Sequence, residues 1–429
     1  MPRPATFVGA IAATLVATTA AADPLPTTPF TLRLGGYGEL GATLFDHGAD
    51  GSRAAGAQRD LRLELDATRF VAVLQARTPS GWELEAELEI EHGGTGAARE
   101  IDYDEFGEYE TEVEHGGEVI LEELYLEKTL AGRYQLKVGR FYVALGHLSS
   151  RFRPTDYLAA TRSDIETTII PGQWDELGVS FTAHLGRVRA TAQVVSGLDS
   201  AGFSSAGWVS TGHQGAYETI RATDLAGVGR LDVTPLAGLE VGAAAYLGGS
   251  SRNRPKPDLV RDCPDGADDE VAACGYVNAV VAIGEVHAAL ARGPVRGSLL
   301  GLVGHLGNAA LVTERNRRLS NTAGVARTPV ADWAYGVGGE LGVDLACPLG
   351  LAPRYAVEPF VRVERFDTMA ATSAGLFANP RYQRTVGTVG VATTIDRAIT
   401  VKVDLAHRRF GASELGPETA LHAALGFVY

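Results

Sequence analysis

Trp82-Glu-Leu-Glu-Ala-Glu-Leu-Glu-Ile-Glu91 alternates without a break. Trp82, Leu84, Ala86, Leu88 and Ile90 fall on one side, and Glu83, Glu85, Glu87, Glu89 and Glu91 on the other. A period of two is the side-chain period of a β-strand, whereas a helix would scatter the glutamates around its circumference. The stretch has the length of a membrane-crossing strand, roughly 9–11 residues. A half-buried strand of a soluble sheet would look the same, so recurrence along the chain has to decide.

It does recur. Outward from the glutamate strand, similar segments are read at 30–45, 60–77, 119–129, 133–144, 177–185, 188–194, 223–233, 239–247, 276–290, 295–306, 333–345, 355–366, 383–394, 399–410 and 419–429. That makes about 16 strands, an even number as bacterial barrels have. Short links at 79–81, 131–132, 186, 235–238 and 293–294 alternate with long ones. Short periplasmic turns and long extracellular loops are the asymmetry of an outer-membrane barrel. The fold class expected is all-β: a transmembrane antiparallel up-and-down β-barrel. Gly36-Tyr-Gly-Glu-Leu-Gly41 matches a dinucleotide-binding glycine pattern. That fingerprint needs a turn into a helix, and here the alternation runs straight through.

The N-terminus reads as an export signal, residues 1–22: Arg3, the apolar run Phe7–Val16, and Ala20-Ala21-Ala22 before Asp23. The barrel then occupies 23–429. No later apolar run reaches about 18 residues, so any crossing must use strands. The formal charge of −14 argues against non-specific nucleic-acid binding, which needs a basic footprint. Cys263 and Cys274 bracket an Asp/Gly-rich segment and are the candidate disulfide of an exported chain. Cys347 is left over. Residues 93–118 carry nine acidic side chains against Arg99 and read as a solvated loop. Residues 145–174 differ in kind. They mix Arg151, Arg153 and Arg162 with Asp156 and Asp164, and add Phe152, Leu158, Ile165, Ile169 and Ile170. A loop so apolar should be packed, and the inside of the barrel is the natural place.

Leu421–Tyr429 resembles the final-strand signal of outer-membrane barrels, alternating apolar residues that end in an aromatic. The resemblance implies recognition by the barrel-assembly machinery. Leu136-Lys-Val-Gly-Arg-Phe-Tyr-Val143, Val195-Ser-Gly-Leu-Asp-Ser-Ala-Gly-Phe203 and Glu358-Pro-Phe-Val-Arg-Val-Glu-Arg-Phe-Asp367 resemble bacterial porins related to the phosphate-selective porins O and P. That resemblance implies a channel in outer-membrane lipid, a homotrimer, and a third long loop folded into the lumen, here 145–174. The chain departs from that family in having four lysines and a glutamate-lined strand, so the channel carries over and the anion selectivity does not.

Strand parity gives the expected pore lining: Glu83, Glu85, Glu87, Glu89, Glu91, Glu358 and Glu364, with Arg189, Arg230 and Arg362 as the bases. Rings of carboxylates favour cations. Arg151, Arg153 and Arg162, opposite the glutamate strand, would set a transverse field at a constriction. The function expected is passive diffusion of small hydrophilic solutes with a mild cation preference. One alternative is an anion or phosphate porin governed by the loop arginines. Another is a plugged structural barrel or a barrel enzyme, for which Glu285 and His287 share one row but read as hydrogen-bonded lumen residues. No cofactor or metal site is read from the sequence.

Overall fold

The computed structural model describes residues 30–46, 61–102, 108–115, 117–214, 219–254, 277–317 and 328–429. The segment read as a signal and the Cys263/Cys274 pair lie outside them. The strands are β1 (Thr31–Asp46), β2 (Leu61–Arg77), β3 (Trp82–Glu91), β4 (Gly96–Asp102), β5 (Glu108–His115), β6 (Glu118–Leu130), β7 (Tyr134–Tyr142), β8 (Asp175–Leu185) and β9 (Val188–Ser196). They continue as β10 (Leu225–Leu236), β11 (Leu239–Gly249), β12 (Val280–Arg292), β13 (Val295–Leu306), β14 (Trp333–Val343), β15 (Tyr355–Ala371), β16 (Gln383–Ile395), β17 (Ile399–Phe410) and β18 (Glu418–Val428). Among the described residues two α-helices, α1 (Asp164–Ile169) and α2 (Ala309–Asn316), sit in loops.

Sixteen of the strands form one closed antiparallel barrel in which neighbours in sequence are neighbours in space. The remaining two, β4 and β5, pair with each other as a separate hairpin. They fall within the acidic segment read as plain loop. Alternating Glu, Thr and Val at 108–113 satisfy strand geometry even when strongly charged. Link lengths sort less cleanly than the sequence suggests. The link 344–354, at the short-turn end, holds the exposed Cys347 and is longer than the link 411–417 at the other end.

β1 closes the ring against β18 in register from Tyr37↔Val428 to Asp46↔Thr419. The last residue seals the seam. Tyr429 donates from its backbone N–H to Gly36 O at 3.0 Å and accepts from Gly36 N–H at 3.1 Å, and its ring stacks on Phe70 at 6.0 Å. A Cβ on Gly36 would meet Val71 O at 2.1 Å and the Tyr429 hydroxyl at 2.6 Å; one on Gly38 would meet the Phe427 ring at 2.4 Å. Gly36 and Gly38 therefore seat the C-terminal aromatics, and the segment runs straight on as strand instead of turning into a helix.

The outer face is apolar: Leu34, Leu63, Leu65, Leu84, Leu88, Val179, Leu299, Val337, Val389, Val401 and Leu425 are all exposed. A soluble protein would not leave such a belt bare, whereas hydrocarbon accepts it. The buried core lies inside the ring. Loop residues Leu145, Ile165, Ile169, Trp174, Phe203, Trp208, Val209, Ala309 and Val312 pack on inward Val195, Tyr246, Ile283, Leu302 and Phe366. Trp208 is fully buried, and its indole N–H donates to Ala331 O at 3.0 Å. A Cβ on Gly304 would strike its ring at 2.1 Å, so the glycine makes the space. Trp208 also holds a left-handed backbone, φ 46°, which a bulky residue keeps only where packing imposes it.

Register shifts on β2 and β6 reset strand parity beside the partly open wall. Glu39↔Arg69 is followed by Gly41↔Asp66, so β2 carries an extra residue between 66 and 69. Leu61, Leu63 and Leu65 then face out on odd numbers, and Phe70 and Leu74 on even ones. On β6 the step from Glu87↔Glu123 to Leu88↔Leu121 leaves Glu122 extra, and both Glu122 and Glu123 turn inward and are buried.

Trp208→Ala should lower the unfolding free energy by ~3–5 kcal/mol, as for other large buried aromatics. Urea titration of the refolded barrel in detergent, followed by heat-modified gel migration, reads that loss.

Candidate functional site

Residues 143–174 leave β7 and cross the barrel interior. Their backbone and side chains are held by inward-facing charges from most of the wall. Glu340 accepts from Leu158 N–H at 2.8 Å and Ala159 N–H at 3.2 Å. Asp404 accepts from Ala160 N–H at 2.6 Å. Glu364 accepts from the Ser163 hydroxyl at 2.6 Å and from the amides of Asp164 and Ile165. Arg362 donates to Thr161 O at 2.8 Å and pairs with Glu340 at 2.7 Å. Lys402 donates to Ala159 O at 3.0 Å, and Arg230 donates to Gly146 O at 2.6 Å. The loop's unpaired backbone groups thus find the partners that burial demands. Ile165 and Ile169 of α1 sit on Gly336, and Ile165 on Gly338 as well; a Cβ on Gly336 would meet Ile165 at 2.4 Å.

Burial governs the loop's own ionisable groups. The Glu166 carboxyl is pushed up to about 7 by burial, although it accepts from Leu148 N–H at 2.9 Å. His147 is pushed down to about 4 by burial, with its Nε2 on Leu299 O at 2.9 Å. Asp156 is raised by burial and caps its own turn, accepting from Arg153 N–H at 3.1 Å.

The opposite wall, β1–β3 with β6 and β7, stays partly open. A cavity of about 320 Å³ at the long-loop end is lined by Glu39, Glu64, Asp66, Arg69, Glu91, Tyr157 and Arg162, among others. At the short-turn end, one of about 270 Å³ is lined by Arg33, Tyr37, Glu85, Glu87, Glu123 and Arg153, among others. A third, of about 310 Å³, meets Glu85, Glu123, Glu127, Lys137 and Tyr142. Between the ends lies a hydrogen-bonded latch. The Tyr157 hydroxyl donates to Glu39 at 2.6 Å, and Arg69 donates to Glu39 at 2.9 Å and also to Gln173. Gln173 Nε2 reaches Tyr142 at 3.0 Å and Glu122 at 3.1 Å, and the Tyr142 hydroxyl donates to Glu122 at 2.8 Å.

The residues singled out from the sequence divide into two groups. Arg153 shares a cavity with Glu85 and Glu87, and Arg162 shares one with Glu91. Arg151 does not join them; it pairs with Glu240 at 2.8 Å on the far wall. Asp164 pairs with Arg408 at 3.2 Å. Arg230, Glu358, Arg362 and Glu364 point inward and engage loop and ion-pair partners, and Arg362 and Glu364 also border a cavity of about 210 Å³ between the loop and their own wall. Arg189 stays partly open and pairs with Asp232 at 2.9 Å. Glu89 is buried with Arg69 at 3.8 Å, and Glu83 pairs with Arg77 at 3.7 Å at the rim. Sequence reading missed Glu122, Glu123, Gln173 and the tyrosines 37, 142 and 157. The parity break from Leu121 to Leu124 would have exposed the paired glutamates.

The carboxylates of Glu85, Glu87 and Glu123 bring oxygens within 4.8 Å of one another, a donor set suited to a hard cation. Asp232, Glu240 and His287 meet the same spacing, but Arg230 and Arg189 already occupy the Asp232 carboxylate. His287 lies 2.6 Å from Glu285 and 2.9 Å from Asp232, within that ion-paired network.

No family model matches the chain. An uncharacterised protein of Aquifex aeolicus is 23% identical over 218 residues, which are 50% of this chain and 44% of that one. The match thus spans less than half of that relative's length. Among solved structures, Salmonella typhi OmpF in complex with daunomycin superposes with a TM-score of 0.54 at 9% identity, covering 93% of this chain and 97% of that one. The outer membrane channel DcaP of Acinetobacter baumannii gives 0.52 at 11% identity, covering 94% and 98%. Likeness at that identity is likeness of fold. A closed barrel of an even number of antiparallel strands with an apolar exterior is the outer-membrane type.

Glu166 gives a pH test of loop packing. Its proton is held more tightly folded (about 7) than unfolded (ordinary value 4.5). Its contribution is therefore full below pH 4.5 and is lost as pH rises through 7. Glu166→Gln should remove that loss. The difference in urea midpoint, variant minus wild type, should grow from pH 5 to about 7 and level off above it.

Proposed function

We propose that this protein is a passive channel for small hydrophilic solutes in the outer membrane of a Gram-negative bacterium, with a mild preference for cations. The observation that carries this reading is the wall of β1–β3 and β6. Glu85, Glu87 and Glu123 border the open cavities of the short-turn end, where Arg33, Lys137 and Arg153 are the cations. Glu39, Glu64, Asp66 and Glu91 border the other end with Arg69 and Arg162. Carboxylates lining a low-dielectric passage raise the local cation concentration. Residues 143–174 act as the constriction, and the Tyr157–Glu39–Arg69–Gln173 latch is its narrowest part. Arg153 facing Glu85 and Glu87 supplies a transverse field that orients dipolar solutes. Insertion through the Leu421–Tyr429 strand by the assembly machinery, and a homotrimer, belong to the same reading.

A second reading, a plugged barrel, is favoured by the latch itself, because its hydrogen bonds join loop to wall without a gap at Arg69. Planar-bilayer recording under a salt gradient separates the two. The channel reading expects steady conductance with a reversal potential on the cation side. In the triple variant Glu85→Gln/Glu87→Gln/Glu123→Gln the potential should move toward the anion side while conductance persists. Correctly folded protein that passes no current would leave the plugged barrel standing, and an anion-side potential in the wild type would return the loop arginines to control.

A further inference from the structure

The lipid-facing surface carries a basic row that the channel does not use. At the long-loop end of β15, β16 and β17, Arg365 pairs in register with Thr385, and Thr385 with Arg409. All three are exposed and share the outer face with Val361, Val389 and Leu405. Adjacent strands lie ~4.8 Å apart, so the two arginine backbones stand ~10 Å apart with the threonine hydroxyl between them. Of the inward arginines nearby, Arg362 pairs with Glu340 and Arg408 with Asp164 and Glu418, while Arg384 lies over the Phe366 ring at 5.6 Å. Arg140, near the rim of β7, is paired to Asp175. Among the described residues, Arg365 and Arg409 have no ion pair, and the exposed Glu414 in the adjacent link does not reach them. The nearest acid on β15, Asp367 two residues beyond Arg365, is buried and accepts from Met369 N–H at 2.8 Å.

One register step toward the middle of the belt, Val363, Gly387, His407 and Thr419 form the next row. A Cβ on Gly387 would meet nothing within 4 Å, so the surface is notched there. His407 is fixed on one side of the notch by Thr419 at 3.0 Å and by Arg409 at 3.4 Å. Below it Val361, Val389, Leu405 and Leu421 continue the apolar face.

We propose that Arg365, Thr385 and Arg409 bind the phosphate headgroup of a lipid in the leaflet at the long-loop end, with an acyl chain lying in the Gly387 notch. Guanidinium groups engage phosphate oxygens in pairs, and a threonine hydroxyl adds a donor. A free anion would explain the arginines but not the apolar notch directly beneath them, so the lipid is the occupant that fits both. The proposal rests on the barrel lying in a membrane and is independent of whether it conducts.

Native mass spectrometry of the folded full chain in non-ionic detergent tests it, with dioleoyl phosphatidic acid as probe and dioleoylglycerol as control. The wild type should retain one phosphatidic acid. In Arg365→Gln/Arg409→Gln its apparent Kd should rise at least about tenfold, the weight of lost charge-assisted hydrogen bonds. Arg365→Lys/Arg409→Lys keeps the charge and should lose less; it also serves if the glutamine variant folds poorly. Gly387→Leu should weaken retention with both arginines present. Equal retention by wild type and the glutamine variant overturns the proposal. So does dioleoylglycerol binding as tightly as phosphatidic acid, or full displacement of the lipid by millimolar inorganic phosphate.

Discussion

In hydrocarbon, a backbone N–H or C=O without a partner costs several kcal/mol, so a sheet that crosses a membrane must have no edge. The rest of the structure follows from that. β1 and β18, the first and last strands, have to find each other across the whole chain, and they do so over ten register pairs from residue 37 to residue 46. Tyr429 then ties its backbone to Gly36 at both N–H and C=O. The glycines at 36 and 38 serve that seam, because any side chain there would collide with the aromatics that close it.

Closure turns the protein inside out. Apolar side chains that would make a core in water face lipid, and the charged alternates are forced inward. Burying unpaired charge is costly, and the lumen answers with a loop that supplies backbone amides to Glu340, Asp404 and Glu364, and carbonyls to Arg362, Lys402 and Arg230. The wall charges that hold this loop are thereby tied to its backbone. Glu85, Glu87 and Glu123 stand together on the wall of β3 and β6, with Lys137 beside Glu85 and Glu123.

The bulges at 66–69 and at Glu122 show how small a change of register redirects chemistry. One extra residue on β2 lets Arg69 face inward toward Glu39 while Leu61–Leu65 keep their outward side. One extra residue on β6 presents two successive glutamates to the lumen. Without it Glu122 and Glu123 would have to lie on opposite faces, and one would meet lipid.

The sequence by itself determined the barrel. Period-two alternation, an even count of such segments and the sorting of links are local properties, and a strand's faces follow from its own residues. The acid-rich wall at Glu85–Glu89 was legible for the same reason, as was the unusual apolar character of 145–174. Only the tertiary structure decided which inward charges the loop engages. Arg362 and Glu85 share the inward face, yet Arg362 donates to Thr161 of loop 143–174 whereas Glu85 accepts from Gln75 on the neighbouring strand, a matter of contacts between residues far apart in the chain. The same holds for the separation of Arg151 from Arg153, two residues apart, the first paired to Glu240 and the second lining the cavity of the opposite wall. Such pairings depend on how a loop folds back across a closed ring, which no local pattern encodes.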